Sequence, residues 1–136
     1  MLQENVTCSV SLKGEDTETN FDGVFTLKVK LTHRDMLRQD EIYRNCLGTS
    51  PGNAGTLAAN IAEAISYLGV RVSKAPSWWT DSNGGMDLQD SNVLSSVYLK
   101  AYEAIENEYK RHRKTAEEAA PALKVAASAI DAAPPV

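Results

Sequence analysis

The chain has 136 residues, 43% of them hydrophobic and 24% charged, with 14 Lys and Arg against 18 Asp and Glu and a formal charge of −4. That composition predicts one globular domain whose core needs neither disulfides nor a structural metal. The negative charge is spread evenly, six basic against eight acidic residues over 1–60 and eight against ten over 61–136, which argues against a general nucleic-acid or anionic-membrane surface because such surfaces need a sustained basic field.

Cys8 and Cys46 stand thirty-eight positions apart with no CxxC spacing. They read as two reduced thiols in a cytosolic compartment. No stretch approaches the roughly 18–20 apolar residues that span a bilayer. The amino terminus MLQENVTCSV lacks the charged and apolar regions of a signal peptide, so the protein is expected to stay where it is made.

In chain order, Val6, Cys8, Val10 and Leu12 alternate with polar residues, as do Phe25, Leu27, Val29 and Leu31. This is the period of two expected of strands with one buried face. Phe21 with Asp22-Gly23 offers a turn or bulge at the start of the second strand. The polar run from Lys13 to Asn20 then makes the simplest topology an antiparallel hairpin over 4–31 with a mobile, acidic tip. An isolated hairpin is marginal in water, so helices must cover its apolar face.

Thr32 followed by Asp35 matches a capping arrangement and predicts a helix over 33–47, with Met36, Leu37, Ile42, Tyr43, Cys46 and Leu47 as its apolar stripe and Gly48 as its left-handed end. A second helix over 54–68 carries Leu57, Ala58, Ile61, Ala62, Ile65 and Leu68, and Gly69-Val70 fits a Schellman ending. Its alanines permit close approach of another helix. Val70 to Ser73 extends briefly before Ala75-Pro76, and Trp78 and Trp79 follow on a tight turn. A third helix over 90–119 has Val93, Leu94, Val97, Tyr98, Ala101, Tyr102, Ile105 and Tyr109 on its apolar side and outreaches the rest of the fold. Residues 120–136 form an Ala/Pro-rich tail in which Pro121 to Ile130 can make a partner-dependent helix. The fold class is therefore α+β, mainly α: a β-hairpin packed on three helices in one domain over 1–119.

The pattern shows no catalytic constellation and calls for no cofactor. His33 and His112 have no neighbouring nucleophile and read as surface histidines. Asp35, Asp40 and Glu41 read as solvated helix charges. The loop Asp81 to Asp87 alternates oxygen ligands around glycine but has no glutamate at the twelfth place of a calcium loop. The glycine-rich Gly48–Thr56 segment lacks the lysine of a phosphate loop. Lys110, Arg111 and Arg113 complement the negative end of the third helix or form a docking strip for an acidic partner. Trp78 and Trp79 are candidates for an interaction surface, one ring in the core and the other on a neighbouring chain. On that reading Trp79→Ala weakens association more than folding, and Tyr98, Tyr102 and Tyr109 make the protein a homo-oligomer.

Phe25 with its strand, Thr32-His33-Arg34-Asp35, Tyr67-Leu68-Gly69-Val70, Lys74-Ala75-Pro76-Ser77-Trp78-Trp79 and Asp87-Leu88-Gln89-Asp90-Ser91-Asn92-Val93-Leu94 occur in that order. Over about 21–110 this resembles the small tail assembly chaperones and related morphogenesis proteins of tailed bacteriophages. The resemblance implies a non-enzymatic role in the host cytoplasm, binding the tape measure protein and recruiting the major tail protein, with the tail as a linker to a frameshifted longer form. Two alternatives stand beside it. One is a structural virion component, either a head decoration or a connector protein; the other is a small metal-dependent enzyme using the loop Asp81 to Asp87.

Overall fold

Alternation of apolar and polar residues builds the first two elements, β1 (Asn5–Lys13) and β2 (Asn20–Lys28). They pair antiparallel with Val6 opposite Leu27, Cys8 opposite Phe25 and Leu12 opposite Phe21, which gathers one apolar face and turns Thr7, Ser9 and Ser11 to solvent. The structure is a computed structural model that describes residues 1–48, 52 and 55–131, with 120–131 as helix backbone. After the hairpin come α1 (His33–Leu47), α2 (Thr56–Arg71), β3 (Val72–Lys74), the short α3 (Ser77–Thr80) and α4 (Ser91–Asp131). The chain has the α+β, mainly α architecture that its sequence predicts, with a third strand added at the β2 edge.

The expected turn or bulge at Phe21-Asp22-Gly23 is instead regular ladder, with Val10 opposite Gly23 and Ser11 opposite Asp22. Gly23 falls on the inward face, and a Cβ there would lie 2.2 Å from Pro76 Cγ. Glycine leaves the space into which the proline before α3 packs. The irregularity lies on the other side of β2, where the pairing to β3 shifts between Thr26 and Leu27.

α1 begins as its sequence dictates: Thr32 Oγ1 accepts from the Asp35 N–H at 3.2 Å, and Asp35 Oδ2 accepts from the Thr32 N–H at 2.9 Å. Lys28 Nζ adds a charged donor to that carboxylate at 2.6 Å, so Asp35 is the capping-box partner of the N-cap Thr32 and not a solvated charge. Gly48 ends it in the left-handed conformation with φ 65°. The expected apolar stripe of α1 is only partly covered. Leu47 is its one buried residue, and Met36 and Leu37 face solvent, because α1 packs against α2 rather than the sheet.

α2 does not stop at Gly69. The Val72 N–H still bonds the Leu68 carbonyl, and Arg71 Nη1 donates to Tyr67 O at 3.0 Å, so the last turn is held by its own side chain. The residue expected to open this helix, Ala54, and most of the preceding glycine-rich segment lie outside the described residues. Ala62, Ile65 and Leu68 are buried as expected, whereas Leu57, Ala58 and Ile61 are exposed. α4 follows its apolar spacing, with Val93, Val97, Ala101 and Ile105 under the sheet beside Phe25 and Leu27. It continues past the expected end at 119 to Asp131, and 132–136 lie outside the described residues.

The hairpin tip is anchored rather than mobile. Asp90, the residue before α4, is 1% exposed, and its carboxylate accepts from the N–H groups of Asp16 at 2.6 Å and Thr17 at 3.0 Å and from Thr17 Oγ1 at 2.6 Å. Asn92 adds a bond from the Glu15 N–H and donates to Lys13 O. Gly14 is required beneath this clasp, since a Cβ there would lie 2.5 Å from the Asp90 carboxyl carbon. A buried carboxylate is tolerated only when charge-assisted hydrogen bonds replace its water, and the tip amides supply them.

Asp90→Ala removes the acceptor for both tip amides. Hydrogen exchange at Asp16 and Thr17 is expected to accelerate while the α1–α2 amides keep their protection. Trp79 is 4% exposed and packs its ring edge-on to Phe25 at 5.4 Å. Trp79→Ala is therefore expected to lower unfolding stability by about 3–5 kcal/mol in urea titration, a core effect in place of the association defect its sequence neighbourhood suggests.

Candidate protein-binding surface

The residues singled out by sequence fall into three places. Trp78 and Trp79 form no exposed hot spot, because Pro76 seated on Gly23 directs α3 at the sheet. Trp79 is core, and Trp78 is half-buried with its ring against Phe21 and Phe25 and its Nε1 donating to the Asp22 carbonyl at 3.0 Å. The expectation of one buried and one partly exposed ring holds, but the partner of the second ring is intramolecular.

Arg111 also has an internal task. Its Nε donates to Glu108 Oε2 at 2.9 Å and its Nη2 to the Met1 carbonyl at 2.7 Å, while Glu108 accepts the Gln3 N–H at 2.9 Å. Glu108 is buried, and the Arg111 guanidinium and the Gln3 amide hold its carboxyl down to about 2. The docking strip proposed for Lys110, Arg111 and Arg113 therefore loses its middle member to the fold. Lys110 and Arg113 stay exposed and form no ion pair among the described residues.

Tyr98, Tyr102 and Tyr109 do come together, along the seam where α2 and α4 run side by side. Tyr67 of α2 meets Tyr98 edge-on at 5.3 Å and Tyr102 at 6.0 Å, and the Arg71 guanidinium lies 3.7 Å from the Tyr67 ring centroid. Burial pushes the Tyr67 hydroxyl up to about 12, so it stays neutral, and its ring serves as the packing group of the cluster. Tyr109 donates to the Val29 carbonyl at 3.3 Å.

On one side of this tyrosine cluster lies a groove of about 510 Å³ whose apolar residues include Leu57, Ile61, Met86, Leu94 and Leu99. Leu57 is 71%, Met86 55% and Leu99 56% exposed, which makes a contiguous apolar strip and not scattered single residues. On the other side lies a cleft of about 370 Å³ between Lys30, Met36, Arg71, Tyr102, Glu106 and Tyr109. Arg71 Nη1 is engaged by Gln39 and its own helix, and its buried Nε has no partner among the described residues. From Leu57 to Arg71 the seam covers fifteen residues of α2, about 21 Å at the helical rise. A surface of this length, apolar along its middle and charged at one end, can hold an amphipathic helix.

Sequence reasoning missed Tyr67, Arg71, Leu57, Ile61, Met86 and Leu99. The signal was present in α2, whose apolar residues occupy too much of the circumference for one buried stripe.

The chemical alternatives are narrower in the structure. In the loop Asp81 to Asp87, Asn83 donates to Asp87, Ser82 Oγ donates to the Trp79 carbonyl at 2.7 Å, and the Gly85 N–H donates to Ser82, so these oxygens shape the turn. Asp40 pairs with Arg44 at 3.0 Å on the surface of α1. Among the described residues no three His, Cys, Asp or Glu gather as a metal site, and no helix is long and apolar enough to cross a membrane. No family model matches the chain, and no curated protein or solved structure is detectably similar to it.

Glu108 carries a pH consequence. Its folded-state carboxyl titrates near 2 against an ordinary value of 4.5, so its contribution to stability is complete above the unfolded value and is lost as pH falls through the folded one. Unfolding titrations are expected to show stability declining between about pH 4.5 and 2, with a shallower decline in Glu108→Gln.

Proposed function

We propose that the chain is a non-enzymatic protein-binding module, a tail assembly chaperone of a tailed bacteriophage that holds the tape measure protein in the host cytoplasm and brings it to the major tail protein. The observation that carries the binding function is the α2–α4 seam, with Leu57, Ile61, Met86 and Leu99 in an open groove beside a cationic tyrosine cleft. An open apolar surface of this kind suits transient capture of an amphipathic helix. The phage assignment rests on the resemblance in the proline–tryptophan turn and the segment from Asp87 to Leu94. In the fold these are the pieces that seat α3 on Gly23 and clasp the hairpin tip.

A permanent structural component of the virion is the second reading, favoured by the reach of α4. From residue 113 to 119 every side chain is exposed, as expected of a helix that docks on a neighbour in an assembled particle. Mass spectrometry of purified mature particles beside infected-cell lysate separates the two. A chaperone is present in the lysate and absent from particles, whereas recovery from particles at fixed copy number overturns the chaperone reading. In the lysate, Leu57→Asp with Leu99→Asp is expected to reduce co-purification of the tape measure protein by about tenfold or more, since a charge in a desolvated contact costs several kcal/mol.

A further inference from the structure

α4 carries one uninterrupted repeat. Starting at Tyr98, every position reached by alternating steps of four and three residues up to Ile130 is apolar or aromatic, except His112. That is the spacing of a coiled-coil seam sustained for more than four heptads. The first half of the stripe lies on the protein's own body, with Tyr98 and Tyr102 against Tyr67 and the Tyr109 hydroxyl on Val29. From Arg113 through Ala119 the helix leaves that body, exposed on all sides. A helix with an apolar stripe and no cover is stable in water only against another surface.

The same chain offers such a surface and a charge code for reaching it. Glu103 and Glu106 lie five and two residues before Glu108, and Lys110 and Arg113 lie two and five residues after it. None of the four forms an ion pair among the described residues. Two α4 helices crossing antiparallel at this point place Glu103 against Arg113 and Glu106 against Lys110, twice over by symmetry. A parallel pairing would set like charge on like charge. In the antiparallel alignment Leu123, fifteen residues past the crossing, comes level with the start of α4 beside Leu94, which lines the open groove.

We propose that two copies of this chain pair antiparallel through α4, the segment beyond His112 of each lying in the α2–α4 groove of the other. This names an occupant for the surface on which the proposed function rests, and so it depends on that surface being a binding face. The dimer keeps the groove covered, and a tail protein binds by displacing the partner's helix.

The test is sedimentation of the full chain from about 1 to 100 µM, a range in which a self-associating protein shifts with concentration. The wild-type chain is expected to dimerise. Glu103→Lys with Glu106→Lys, and separately Lys110→Glu with Arg113→Glu, are each expected to raise the dimer dissociation constant about tenfold or more through like-charge contact. Mixing the two charge-reversed chains in equal amounts should restore a dimer, because all four pairs are then complementary. Leu123→Glu in the segment beyond His112 should weaken the dimer as Leu57→Glu does in the groove. A wild-type chain that stays monomeric, charge-reversed chains that dimerise normally, or a mixture that does not recover would each overturn the proposal. A monomeric chain that still retains tail protein would overturn this inference alone, and a dimer that retains none would overturn the functional reading alone.

Discussion

Two buried carboxylates hold the molecule together. Asp90, the residue before α4, and Glu108 within it are eighteen residues apart, five helical turns and about 27 Å, and both carboxylates meet the hairpin. Each accepts backbone N–H groups that flank β1: the tip amides of Asp16 and Thr17 at one end and the Gln3 amide at the other. The strand segment between those points is therefore laid along the helix at a fixed register. Burying an ionised carboxylate is costly unless its lone pairs are filled. Here the hairpin ends fill them, Arg111 completes the Glu108 site, and charged-acceptor hydrogen bonds fix geometry more tightly than apolar contact alone.

With α4 fixed on the hairpin, the remaining elements have little choice. The apolar face of the sheet is covered by Val93, Val97, Ala101 and Ile105, which leaves its far corner to Pro76, Trp78 and Trp79. α2 can then reach the core only along one side of α4, through Tyr67 and Leu68. α1 is displaced outward and packs on α2 as a second layer. The apolar residues left over at the edges, Leu57, Ile61, Met86 and Leu99, line the groove. The candidate binding surface is thus a by-product of how the core closes, with the tyrosine cluster and Arg71 sealing the boundary between covered and open helix faces.

This arrangement separates residues that look alike in sequence. Arg111 and Arg113 belong to one basic run, yet the first grips Glu108 and Met1 while the second faces solvent. Trp79 is core, whereas Tyr102, which shares its size and aromaticity, stands 44% exposed on the seam. The face of a helix that carries a residue decides its role more than the residue type does. The same reasoning connects the open groove to the segment of α4 beyond His112, since an apolar groove and a helix exposed on all sides from Arg113 to Ala119 occur on one chain.

The local elements were legible in the order of the amino acids alone. Period-two alternation marked both strands, the Thr32–Asp35 box and Gly48 marked both ends of α1, and the apolar spacing of α4 included its buried Val93, Val97, Ala101 and Ile105, because these signals lie within one or two turns of chain. What depends on contacts between distant segments emerges only when the chain is folded. Gly23 reads as a turn until Pro76 occupies the space above it, and Asp90 reads as a helix start until the hairpin tip closes on its carboxylate. Gly69 reads as a helix end until the Leu68 carbonyl is found bonded to Val72. The binding seam was hidden for the same physical reason: Leu57 and Ile61 share the helical spacing of Ile65 and Leu68, and periodicity cannot say which part of a broad apolar face the neighbouring helix covers.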